Sequence, residues 1–143
     1  MLYEIWDKPR RGRAMPARGD WDILDVPLSL WGHMVLLDVL WGLAGAPPRL
    51  RYRVYGTMLA EWRRADLTGR FIDDPERPTG RAVQRWLLEV ALSGRPSHHI
   101  EPFEPNDRRK GWMERIALPL SQDGRRVDMI LGAGVSTVGP ERA

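Results

Sequence analysis

The sequence predicts an α/β domain of the α+β kind, an antiparallel sheet with helices packed on it, and three observations predict it. Two strand-like runs stand close together, Val35–Trp41 and Arg49–Tyr55, joined by the short GLAGAPP connection. A helical middle follows and ends in a run with strong 3.6-residue periodicity. The last third returns to extended segments separated by turn residues.

Each element has its own signal. Residues 1–32 read as an irregular flank rich in Arg, Pro and Gly, carrying Trp6, Trp21 and Trp31. Within it Leu2 to Asp7 suits a short helical turn ahead of Pro9, and KPRRGRAMPARGD reads as loop. Met15 and Pro16, set among the arginines, mark a segment that docks rather than floats. Val35–Trp41 (VLLDVLW) is apolar at almost every position, the pattern of a strand buried on both faces, with Asp38 as the exception. Arg49–Tyr55 alternates: Leu50, Tyr52 and Val54 are expected to face the helices, and Arg49, Arg51 and Arg53 to face away. Met58, Leu59 and Trp62 share one face of a helix for which Thr57 is the expected cap. Asp66–Arg70 breaks that helix.

Thr79 to Ser93 carries the strongest helical signal. Val83, Trp86, Leu87, Val90 and Ala91 fall at i, i+3, i+4, i+7 and i+8, with Thr79 as the expected N-cap and Gly94 as the stop. Pro96–Phe103, Gly111–Leu120 and Arg126–Thr137 then read as three strands. Pro105-Asn106-Asp107 and Gln122-Asp123-Gly124 are the turns between them.

Composition sets the outer bounds. A chain of 143 residues is read as a single domain, with the flank at 1–32, the core at 33–137 and a tail at 138–143. Charged residues make up 29% and hydrophobic residues 43%, ordinary values for a globular protein. There is no Cys, which excludes disulfides and thiol ligands and fits a cytoplasmic location. No stretch has the form of a signal peptide or a membrane span, so membrane insertion is not expected. A net charge of +3 is too small to argue for nucleic acid as a partner. Seven Trp favour packing or recognition.

Candidate chemistry is sparse. His98, His99, Glu101 and Glu104 are the best metal candidates, but on a strand only His99 and Glu101 share a face, so no metal site is expected. Asp73 and Asp74 lack a nucleophile motif, a P-loop or a dinucleotide fingerprint near them, and no enzyme is expected. Arg49-x-x-x-Arg53 has the spacing of a phosphate-gripping arginine pair but lacks the companion motif. The plain reading of the three arginines is the solvated side of a strand.

The order strand, strand, short helices, one longer helix, three strands is similar to the PAS fold. Trp6, GRAMPAR (12–18), LLDV (36–39), RYRVYGT (51–57), DLTGRFID (66–73) and LPLSQDG (118–124) together resemble the short single-domain PAS proteins of alphaproteobacteria. The resemblance implies a five-stranded antiparallel sheet of order 2-1-5-4-3 with the helices on one face, so that Arg49–Tyr55 is an edge strand, which its arginines would protect. It also implies a pocket between that face and the long helix. Trp62, Val83, Trp86, Leu87, Val90 and Tyr52 are then the expected ligand-binding residues.

The resemblance implies a sensory or protein-interaction role, exercised on a small molecule and through a signalling partner. The alternative is a ligand-free module that pairs with itself. The helix-free face, with Trp6, Asp38, Arg51 and Arg53, is the expected interface, covered by the Trp6 region or by a second chain in a homodimer. No cofactor is expected. The missing Cys disfavours the covalent flavin chemistry of the light-sensing branch, and the absence of His on the long helix disfavours haem, with His98 or His33 as the only substitutes.

Overall fold

The computed structural model describes residues 1–103 and 111–138. Five strands, β1 (Met34–Leu40), β2 (Arg49–Tyr55), β3 (Ser97–Phe103), β4 (Gly111–Leu120) and β5 (Met129–Val138), form one sheet of order β2-β1-β5-β4-β3. Every neighbouring pair is antiparallel. This is the predicted fold class and the predicted strand order. Among the described residues four α-helices accompany the sheet: α1 (Leu2–Asp7), α2 (Leu28–Trp31), α3 (Thr57–Arg63) and α4 (Arg81–Ser93). No helix among the described residues is long and apolar enough to cross a membrane.

The sheet is apolar on both sides at its centre. Leu36, Leu131 and Leu118 pair across β1, β5 and β4, and strand alternation puts them all on one face. Leu37 and Ile130 pair on the other face, the one that α4 covers. All five are buried. Helix α4 supplies its predicted stripe, with Val83, Trp86, Leu87, Val90 and Ala91 buried, and Gly94 ends it in the left-handed region at φ 67°.

The opposite face is covered by the chain's own flank, the first of the two covers expected for it, and because the flank carries α1 the helices are not confined to one face. Leu2, Trp6, Trp21 and Val26 belong to the same core cluster as the sheet leucines. The Trp6 indole N–H donates to the Pro119 carbonyl at 2.7 Å, and the Ser121 amide donates to the Pro16 carbonyl at 2.9 Å. Several flank arginines are held within the flank itself: Arg10 pairs with Asp7, Arg13 with Asp20, and Arg18 lies over the Trp21 ring.

Strand β2 departs from simple alternation. The register with β1 slips between Leu36 and Leu37, so that Leu36 faces Val54 and Leu37 faces Tyr52. This bulge sends Arg53 and Val54 to the same side. Val54 is therefore 51% exposed rather than buried, and Tyr55 takes the inward place expected of it.

The outer edge of β2 is also not bare. The Tyr52 amide donates to the Arg70 carbonyl, the Gly69 amide to the Tyr52 carbonyl, and the Ile72 amide to the Leu50 carbonyl. Residues 69–72 thus occupy the edge that the arginines were expected to guard. Arg49 stacks on the Phe71 ring, 3.7 Å from its centre. Arg51 and Arg53 reach back to Asp38 at 3.4 and 2.9 Å.

Three terminal details also differ. Strand β5 begins at Met129 rather than Arg126, because the preceding turn is longer. Ser121 Oγ donates to the Arg126 carbonyl, and the Asp123 carboxylate accepts from the Arg125 and Arg126 amides. Gly56 rather than Thr57 precedes α3, and Gly80 rather than Thr79 precedes α4. Thr79 is buried instead, its hydroxyl 2.8 Å from that of Tyr52. The role of Gly56 is steric: its φ is an ordinary −59°, but a Cβ there would stand 2.3 Å from the Gly32 carbonyl oxygen. The turn read at Pro105-Asn106-Asp107 lies outside the described residues.

Two stability measurements follow. The side chain of Asp38 is only 9% exposed, whereas those of Arg51 and Arg53 are 40% and 56% exposed. Removing the acid leaves two well-hydrated cations, while removing both cations strands a buried carboxylate. In urea unfolding, Asp38→Asn is expected to cost about 1 kcal/mol, and the double Arg51→Gln/Arg53→Gln variant about 3 kcal/mol. The reverse order would show that the carboxylate is not the dependent member of the group. Gly56→Ala forces backbone to separate from backbone and is expected to cost about 3 kcal/mol or more by the same measurement. A near-neutral result would refute the close approach to Gly32.

Candidate functional site

Between the sheet and the helices lies a cavity of about 360 Å³, within the range of small-molecule sites, roughly 300–1,000 Å³. Its walls come from every layer of the fold. Strand β2 gives Tyr52 and Tyr55, α3 gives Leu59 and Arg63, and α4 gives Val83, Trp86 and Leu87. Strands β1, β3 and β4 give Val35, Glu101, Arg115 and Ile116. The hollow exists partly because β5 presents Gly132 and Gly134 there. A Cβ at Gly132 would lie 2.8 Å from Val35 Cγ2, so any side chain at 132 displaces the neighbouring wall.

The aromatic groups are held in place by hydrogen bonds and ring contacts. The Trp86 indole N–H donates to Ser97 Oγ at 2.8 Å, and its ring lies 5.4 Å from the His99 imidazole. Tyr52 and Tyr55 meet edge to face at 5.0 Å. Burial raises the Tyr52 phenol above its ordinary value and pushes Tyr55 up to about 12, so both stay protonated and able to donate.

One ion pair sits in the wall. Arg115 Nη1 donates to Glu101 Oε1, with the two side chains only 25% and 26% exposed. Burial is the main cause that lowers the Arg115 pKa, yet guanidinium remains charged at any ordinary pH. His99 stands 3.4 Å from the same carboxylate, but Arg115 already holds that charge. Burial first, then the nearby Arg115 and His98, lower the His99 pKa below its ordinary 6.5.

The residues expected at the site divide. Tyr52, Val83, Trp86 and Leu87 line the cavity. Trp62 does not: its ring lies 5.3 Å from the His33 ring instead. Val90 does not either: it is 1% exposed in the filled part of the core, one turn beyond Trp86 and Leu87. Of the expected interface residues, Trp6 is 1% exposed and enclosed by its own chain, Asp38 is buried, and Arg51 and Arg53 are tied to Asp38.

His98 pairs with Glu114 at 2.7 Å, and His99 pairs with Glu101 on the other face. Among the described residues no three His, Asp or Glu side chains gather as a metal site would require, and Glu104 lies outside those residues. The Glu101–Arg115 pair was not singled out from sequence. Its signal was present: Met113, Arg115 and Ala117 share one face of β4, and a charge in an otherwise apolar phase marks a special position.

No family model matches the chain, and no curated protein does. Among solved structures it is similar to a light-oxygen-voltage domain studied with a flavin analogue. The TM-score is 0.48 at 15% identity, over 73% of this chain and 76% of that one. Sheet order and helix placement make the fold PAS-like. The neighbour corrects the expectation that flavin is disfavoured, because it is itself a domain studied with a flavin analogue. A missing thiol removes only a covalent adduct and does not bear on non-covalent binding of a flavin. The expectation against a cofactor is withdrawn.

The pH dependence of stability follows from His99. Its lowered pKa means that the folded state binds this proton less readily than the unfolded chain does. The contribution is complete above pH 6.5 and is lost as pH falls below that value. Urea titrations stepped from neutral pH downward are expected to show this loss, and His99→Gln is expected to flatten it. An unchanged slope in the variant would place the titrating group elsewhere.

Proposed function

We propose that the chain is a non-catalytic sensory module that binds a small molecule in the cavity between the sheet and helices α3 and α4, and passes the change to a signalling protein partner. The observation that carries this reading is the cavity itself. It has ligand-sized volume, aromatic walls fixed by hydrogen bonds, and a mostly enclosed ion pair beside apolar side chains. Such a combination of apolar surface and a few placed polar groups is the ordinary form of a recognition site. A non-catalytic role is supported by the lining, whose hydroxyl-bearing Thr79 is engaged by Tyr52 and has no base beside it.

A second reading, a ligand-free module that pairs with a copy of itself, has one observation in its favour. Leu24 and Leu28 stand 75% and 74% exposed, close together in the flank. The two readings separate in one set of measurements on the purified full chain. Native mass spectrometry and an absorption spectrum show what co-purifies, and light scattering gives the mass in solution. Added small molecules that shift the backbone amide resonances of Tyr55, Val83, Trp86 and Gly132 support the sensory reading. A stable dimer whose cavity resonances respond to no compound in a broad fragment set would replace it with the second.

A further inference from the structure

The cavity is not neutral. Its lining carries three guanidinium groups, Arg63, Arg81 and Arg115, against one carboxylate, Glu101. Arg63 and Arg81 lie on exposed residues, and Arg63 is occupied by the Pro78 carbonyl. Arg115 differs from both: it is three-quarters covered, and Glu101 from the neighbouring strand is the one carboxylate that faces it from the lining.

A charge held in an apolar wall needs a counter-charge. In this structure the counter-charge comes from a side chain on β3, a strand with no partner on its outer side among the described residues. Apart from Thr79, whose hydroxyl is engaged by Tyr52, the rest of the lining is apolar or aromatic, and its two phenols stay protonated and can only add hydrogen bonds.

We propose that the cavity takes small aryl or alkyl monocarboxylates, whose carboxylate replaces Glu101 on Arg115 while the apolar body lies against Trp86, Leu87, Val83 and Leu59. The inference rests on the cavity reading above and adds the charge and class of the ligand. A guanidinium fork matches a planar carboxylate. A single enclosed cation matches a single negative charge, and a dianion such as a phosphate monoester would carry an unmatched charge into an apolar wall. The exchange also has a structural output. Glu101 lies on the edge strand β3, two residues from His99, which is packed on Trp86, so its release changes the side-chain contacts on that strand while its pairing with β4 stays.

The test compares charged and neutral copies of one shape. Phenylacetate, 2-naphthylacetate and 4-phenylbutyrate, each beside its primary amide, are titrated into the full chain by calorimetry and amide-resonance shifts. At least one acid is expected to bind about tenfold or more tighter than its amide. Glu101→Gln is expected to tighten the acid by a few-fold or more and leave the amide unchanged, because the internal competitor is gone. Arg115→Gln is expected to equalise acid and amide. Should Arg115→Gln fail to fold, the wild-type acid-to-amide ratio and the Glu101→Gln response decide the matter without it. Amides that bind as tightly as their acids would overturn the monocarboxylate inference and leave the cavity reading standing. Absence of any shift at the lining residues, for every acid and every amide, would overturn both.

Discussion

The centre of the sheet has no wet side, and the rest of the architecture follows from that constraint. Leu36, Leu118 and Leu131 lie on one face and Leu37 and Ile130 on the other, with none more than 7% exposed. A sheet of this kind needs two covers. Helix α4 forms one of them with a regular apolar stripe. The other comes from a flank of short turns and Trp residues that carries little regular structure of its own. The one charge set into this region, Asp38, is tolerated because two arginines reach it from β2, and the bulge that brings Arg53 round also turns Val54 outward.

The same constraint explains where the cavity lies. Cover on the α4 side is complete around Leu37, Val90 and Ile130, and it opens where β5 changes from leucine and isoleucine to Gly132 and Gly134. Removing side chains from the middle of a strand lowers one wall without breaking the ladder. The gap is then bordered by groups that were too large or too polar to fill it: two phenols, an indole and a guanidinium paired to a carboxylate.

Most of the fold was legible because its signals are periodic. The stripe of α4, the two-sided run of β1 and the limits of β4 follow directly from residue spacing. What escaped the sequence depends on contacts between distant residues. Thr79 reads as a helix cap on local grounds, but the Tyr52 hydroxyl claims it, and no local rule anticipates that. Val54 reads as inward until a bulge shifts its register. Trp62 is expected at the pocket from the family resemblance, yet of the α3 face it shares with Leu59 only Leu59 reaches the cavity, while Trp62 meets His33. Glu101 and Arg115 stand 14 residues apart and become neighbours only once β3 and β4 have paired.

The strip formed by residues 69–72 has a consequence for how such a chain behaves in a crowd. A sheet with both borders open can accept a strand on each side, and copies can then stack without limit. Here the middle of the β2 border is already hydrogen-bonded to the chain's own backbone at Leu50 and Tyr52. Strand addition among the described residues is left to the β3 border. A molecule with one usable border can join a single neighbour edge to edge, and the resulting pair has no border left to offer. Strand addition through that border alone joins two molecules and cannot propagate into a fibril.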